Sequence, residues 1–348
     1  RHCDPTRIDL RMALRRRSGA YLAEIEPARL AAAGSIRAML RREKPDLVMS
    51  FGMGVALATA VAMKTLGRHR PVWVCREDSN TWAEIDNLTP SRGARWAIGR
   101  AVCAAYRSAD AVLCVSRDLG ARLIGQIGLP GAKVRAIHNP IEIGAIASAA
   151  AEPLALAQRR PFVVAAGRLT LQKGHALMIE AFARAPAATE CDLVILGEGP
   201  LEVSLRARAA ALGVGDRVIF AGFQANPWAW FARARLFVLP SLWEGFGNVI
   251  AEAMACGAPV LATDCDFGPR EQIGHGENGW LVAPNDAGAL AAGLQRLLTD
   301  PVLTEHLAAA GRVRAADFDA AAIGRVYTDY LVAEAKLRPP LDSVRHAR

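Results

Sequence analysis

Residues 236–252 read LFVLPSLWEGFGNVIAE: an apolar run closed by Pro240, a loop broken by Gly245 and Gly247, then an apolar stretch ending in a second glutamate. Were the last nine residues one helix, Glu244 and Glu252 would lie about 80° apart in azimuth and more than two turns apart along the axis. The two glycines oppose a continuous helix. A strand ending at Pro240, a loop, and a helix starting near Asn248 fits better, because asparagine is a good N-cap. Glu244 then hangs in a loop before a positive helix terminus, and Glu252 lies inside the helix. That arrangement suits an anionic, polyhydroxylated ligand.

The same strand–loop–helix rhythm runs through the chain. FVVAAG (162–167), DLVILG (192–197), VIFAG (218–222), LFVLP (236–240), PVLAT (259–263) and WLVAP (280–284) are short apolar runs spaced by helix-length segments. Earlier, DLVMSFG (46–52), PVWVCRE (71–77), AVLCVS (111–116) and KVRAIHNP (133–140) read the same way. Continuous apolar runs separated by helices indicate parallel sheets covered on both faces. The reading is α/β: two Rossmann-like, doubly wound domains over residues 1–150 and 151–336, with ligands expected beyond the carboxyl ends of the strands. Residues 141–160, rich in alanine, read as the linker. A final helix spans about 317–336, and 337–348 reads as a loose polar tail.

At 348 residues the chain is long enough for two cores. No apolar run is long enough to cross a bilayer. The opening RHCDPTRIDL has neither an initiator Met nor a leader pattern, and reads as the interior of a longer chain. Seven scattered cysteines without CxxC pairs argue for reduced thiols in the cytoplasm, against a disulfide frame or zinc site. Residues 1–150 hold 23 Lys/Arg against 13 Asp/Glu, so the basic surplus belongs to the first half, notably 11–21 and 39–44. That surplus is either a solvated helix face or an attraction to an anionic membrane surface or phosphate-bearing acceptor. Nucleic acid is disfavoured, because the arginines are not interleaved with stacking aromatics.

GRLTLQKG (167–174) follows the first strand of the second domain. Arg168 and Lys173 are two cations in a loop at a strand's carboxyl end, before a helix, which is what a diphosphate needs. Asp264-Cys265-Asp266 is a DxD triplet but reads as structural. GEGP (197–200) starts like a dinucleotide fingerprint, yet position 202 is Glu202 and no acid ends the next strand, which disfavours a nicotinamide enzyme. His175, directly after Lys173 and Gly174, could touch phosphate but is expected on solvent at a helix start, and His138, His275 and His306 have no partners at metal spacing.

GRLTLQKG, LVILGEGP (193–200), the stretch 236–264 and GPREQIGHGENGWLV (268–282) together resemble glycosyltransferase family four. The resemblance is strong over 162–300 and moderate over 108–140. EGFGNVIAE matches that family's E-x7-E motif, and TDC-x-x-GPRE resembles members that build bacterial surface polysaccharides, often from UDP-sugars. It implies the GT-B architecture, two Rossmann-like domains facing across a cleft, and transfer with retention of anomeric configuration. Glu252 is then expected on the nucleotide ribose and Glu244 near the donor sugar, with amides of Phe246, Gly247, Asn248 and Val249 facing sugar and phosphate. Arg168 and Lys173 would hold the diphosphate, stabilising charge on the departing oxygen by roughly 3 kcal/mol per donor in a dry site. Backbone near Gly222 and Phe223 would select the base. No metal or other cofactor is implied.

The first half departs from the pattern. Asp78 stands where members often carry a histidine near the reacting sugar, with Arg76 and Glu77 beside it, and the glycine-rich loop after the first strand is not found. The expected partners are a nucleotide-diphosphate-sugar donor, a lipid-linked or saccharide acceptor, and an anionic membrane surface at the cytoplasmic face. Two rivals stay open: a non-catalytic nucleotide-sugar binder and a GT-B epimerase. A glycosidase reading of Glu244 and Glu252 as acid and nucleophile is disfavoured, since it needs neither Arg168 nor Lys173.

Overall fold

A computed structural model describes residues 2–14, 30–32, 35–67, 70–154 and 160–336. They form two compact units, one of the residues up to Ile137 with those from Ile323 onward, the other His138–Ala322. The strands are β1 (Met12–Leu14), β2 (Leu30–Ala32), β3 (Leu47–Phe51), β4 (Val72–Glu77), β5 (Ala111–Cys114), β6 (Val134–Ala136), β7 (Phe162–Ala166), β8 (Asp192–Leu196), β9 (Val218–Gly222), β10 (Leu236–Leu239), β11 (Val260–Thr263) and β12 (Trp280–Val282).

In the second unit all six strands are parallel, in the order β12-β11-β10-β7-β8-β9. β7 and β10 are buried along their whole length. Helices on both faces close a core around Val163, Ile179, Phe182, Ile195, Leu236 and Leu261. Chain order reverses between β7 and β10, a switch point whose carboxyl ends form the crevice in sheets of this kind. Gly174 sets how closely the loops after β7 and β10 approach. It sits at φ 63°, and a Cβ there would run into the Pro240 carbonyl. Leu242 N–H donates to the Gln172 carbonyl (2.8 Å) and Gln172 Nε2 to the Trp243 carbonyl (3.1 Å).

In the first unit β3-β4-β5-β6 form a parallel sheet, and β1 and β2 pair separately. Leu113, Val74 and Ile137 pack with Ile323, Tyr327 and Tyr330 of the helix Ala320–Ala335. Asp4 N–H donates to Thr328 Oγ1 (3.1 Å) on the same helix.

The expected division at 150/151 thus differs from the division by contacts, at 137/138 and 322/323. The stretch expected as a linker carries regular structure in its first part. Ile141 exchanges backbone hydrogen bonds with Phe318 and Ala320 (2.9 and 3.0 Å), and Ile143–Ala150 is a helix with Ile146 buried. Its alanines favour helix, and Ile143 and Ile146 at i, i+3 give it one apolar side. The tail 337–348 and most of the basic run 11–21 lie outside the described residues.

Candidate active site

The crevice between β7 and β10 gathers three of the four residues expected to be catalytic. Lys173 Nζ lies 2.6 Å from Glu244 Oε1, and Ser241 Oγ donates to the same oxygen at 2.7 Å. Glu244 is buried and the Lys173 side chain nearly so. The Glu244 backbone is fixed as well: its N–H donates to the Asp266 carbonyl and its carbonyl accepts from Phe267 N–H. Gly167 brings Lys173 inward, since a Cβ on Gly167 would meet the lysine Cγ at 3.1 Å. Arg168 stands exposed in the same loop. Asp78, the fourth, follows β4 in the first unit, where it is exposed.

Asn248 is the first residue of the helix Asn248–Ala255 and not its cap. Gly247 caps it at φ 81°, in the left-handed region that glycine tolerates. The Asn248 side chain instead accepts from Asn139 Nδ2 (2.8 Å). Amides of the first helical turn, those of Asn248 and Val249 among them, have no carbonyl four residues back inside the helix. Phe246 is buried and stacks on His138 (5.1 Å between centroids), so its backbone alone is left for the role the sequence suggested.

Glu252, half-buried on the same helix, accepts from Trp228 Nε1 at 3.1 Å. Burial pushes its pKa above the usual carboxylate range, partly offset by that indole hydrogen bond. Gly222 ends β9 at φ 69°, and Phe223 beyond it is exposed. Asp264 of the DxD triplet is held by a bidentate pair with Arg270 (2.9 and 2.7 Å).

Two contacts escaped the sequence reading, and one histidine lies elsewhere than expected. Trp228 comes from a separate segment with no spacing relation to Glu252. His138 hydrogen-bonds Glu271 (2.9 Å) across 133 positions of chain. His175 is buried, contrary to the solvent-facing position expected, and burial pushes its pKa down to about 4. It begins the helix His175–Arg184 and shares its inward face with Met178 and Ile179, at i+3 and i+4. That register is the signal that would have located it. Hydrogen bonding to the backbone of Gly167 and Arg168 offsets part of that burial.

Residues 148–314 match the family model "Glycosyl transferases group 1", and residues 9–144 match "Glycosyltransferase Family 4". The chain belongs to glycosyltransferase family four. An N-acetylgalactosaminyltransferase of Campylobacter jejuni, named for a diphospho-undecaprenol-linked substrate, is 34% identical to this family member over 65% of the chain and 61% of its own length. The lipopolysaccharide core glycosyltransferase LpsE of Rhizobium meliloti is 32% identical over 59% of each. The chain spans about three fifths of the length of these curated relatives. Anabaena HepE, solved with UDP, superposes with a TM-score of 0.71 at 25% identity, over 85% of this chain and 82% of HepE. The fold is GT-B, as in these glycosyltransferase neighbours.

Proposed function

We infer that this family-four chain is a retaining glycosyltransferase. It moves a hexose or N-acetylhexosamine from a nucleotide diphosphate sugar, UDP-linked, to a lipid-linked or saccharide acceptor in bacterial surface polysaccharide synthesis. The observation that carries the reading is the Lys173–Glu244 pair at the β7–β10 crevice, beside Arg168 and the first turn of Asn248–Ala255. The UDP-bound HepE and the diphospho-undecaprenol-named relative support the choice of donor and acceptor.

In this reading Arg168 and Lys173 hold the diphosphate, and charge on the departing phosphate oxygen grows against fixed cations. Glu244 fixes the lysine and meets sugar hydroxyls. Glu252, steadied by Trp228, accepts from the ribose hydroxyls. Its raised pKa makes ribose binding fall as the site becomes more acidic. No metal takes part, and Asp264 is already held by Arg270. Acceptor contacts come from the first unit, including Asp78, and its basic surplus draws the enzyme to the cytoplasmic face of the membrane.

Radiolabelled UDP-glucose and UDP-N-acetylglucosamine, each with undecaprenyl-diphosphate-linked and free saccharide acceptors in EDTA, test this. Acceptor-dependent label transfer, reduced in Lys173→Ala, is expected. Sugar alteration and UDP release without acceptor would mean an epimerase, and UDP binding without turnover a binding module.

A further inference from the structure

His138 and Asn139 lie just beyond β6 in the chain, and both touch the turn that leads into the helix Asn248–Ala255. The His138 ring stacks on Phe246, 22° from parallel, and bonds Glu271 Oε2 at 2.9 Å. Phe318 meets both rings edge-on, 5.6 Å from His138 and 5.4 Å from Phe246. Arg314 braces the set: its guanidinium lies 5.0 Å from the Phe318 ring centre, and its Nη2 donates to the Glu271 carbonyl at 2.6 Å. A ring held by stacking and a hydrogen bond at once has one orientation, which anchors the chain at 138–139.

Beside that anchor, Asn139 Nδ2 donates to Asn248 Oδ1 at 2.8 Å, across 109 positions of chain. Folding alone gives this bond little purpose. It lies at the surface, where water competes for both groups, so its net contribution to stability is small. It does not cap the helix either: Gly247 is the cap residue, and no side chain closes the first turn. What the bond fixes is direction. An amide side chain has one oxygen that accepts and one nitrogen that donates twice. With Oδ1 taken by Asn139, the exposed Asn248 keeps its Nδ2 hydrogens for another acceptor, at a helix start whose dipole favours an anion. Turning the Asn248 amide over would set its NH2 against that of Asn139 and leave an oxygen there to repel phosphate.

We propose that Asn139 is a positioning residue for the donor: it orients the Asn248 side chain so that Nδ2 donates to a phosphate oxygen of the nucleoside diphosphate. The proposal rests on the reading of the β7–β10 crevice as the diphosphate site, and adds to that site a side-chain donor and the residue that aims it.

Calorimetric titration of the full chain with UDP tests it, in Asn139→Ala, Asn248→Ala, the double variant and Asn248→Asp, with Lys173→Ala alongside. Asn248→Ala should lower UDP affinity about tenfold, because a hydrogen bond to a charged oxygen is lost. Asn139→Ala should lower it about threefold. The double variant should bind UDP no more weakly than Asn248→Ala alone, because Asn139 acts through Asn248. Asn248→Asp keeps an acceptor for Asn139 but offers the phosphate a carboxylate, so it should bind UDP at least as poorly as Asn248→Ala. Thermal unfolding of the four variants should stay close to that of the wild type. Losses that add in the double variant overturn the proposal, since Asn139 would then act by another route. Wild-type UDP affinity in Asn248→Asp overturns it too, as does a lowered unfolding temperature in Asn139→Ala with UDP affinity unchanged. If Lys173→Ala weakens UDP binding and Asn248→Ala does not, the proposal falls and the diphosphate site stands. If the wild type binds no UDP, both fall.

Discussion

At the carboxyl end of β10, Glu244 is buried with an ammonium group 2.6 Å away. At the carboxyl end of β4, Glu77 is buried with hydroxyl partners instead, Thr81 Oγ1 at 2.6 Å and the Tyr106 hydroxyl. Desolvation acts on both acids, but only the first has an opposite charge at contact distance to offset it. Burial therefore pushes Glu77 up to about 8, and at neutral pH it holds its proton. In the second unit the buried acid is paired with a lysine at the end of a strand. In the first, the buried acid serves as a neutral hydrogen-bonding strut beneath the exposed Asp78, and basic charge lies on the surface.

The largest expected effect breaks the geometry that makes this contrast. Gly174→Ala drives a Cβ into the Pro240 carbonyl at a positive φ and parts the two loops. Urea unfolding should show a loss of about 4 kcal/mol or more, with UDP affinity lost alongside. Next, Lys173→Met leaves Glu244 buried without its counter-charge. About 3 kcal/mol of stability should go, and transfer should fall about a hundredfold or more in a steady-state assay.

Glu77→Gln tests the other side through pH. The Glu77 pKa is raised from its ordinary 4.5 to about 8, so between those values the folded chain binds more protons than the unfolded one. Its contribution is full below about pH 4.5 and is lost as pH rises toward about 8, at a cost on the order of a few kcal/mol. Glutamine lacks that slope, so unfolding followed across this window should be flatter in the variant. His175 has the opposite sign. Its pKa is depressed from 6.5 to about 4, so its contribution is full above 6.5 and is lost as pH falls through that window. His175→Gln should remove that acid-side slope. The smallest effect belongs to Trp228→Phe, which deletes one hydrogen bond to Glu252. Nucleotide affinity should fall about fivefold by calorimetry, the equivalent of about 1 kcal/mol.

The same contrast governs what could be read from sequence. Strands buried on both faces announce themselves as unbroken apolar runs, so β7–β11 fall within a residue or two of the expected segments. β6 is shorter than its run because the chain leaves the sheet after Ala136, and His138 turns to stack on Phe246. Within the crevice, Lys173 and Glu244 were legible because each follows a strand at the turn it was expected to occupy. Trp228 and His138 were not, because tertiary folding alone brings them to Glu252 and Glu271. The buried state of Glu77 was equally hidden, since Tyr106 comes from the far helix Arg92–Ser108.

The central claim is that the β7–β10 crevice binds the nucleoside diphosphate of the donor. Calorimetric titration of the full chain with UDP in EDTA tests it most directly, with Lys173→Ala and Glu252→Ala titrated in parallel. The account predicts one site per chain, unchanged by EDTA and weakened about tenfold or more by either substitution. Undiminished UDP affinity in both variants would contradict it.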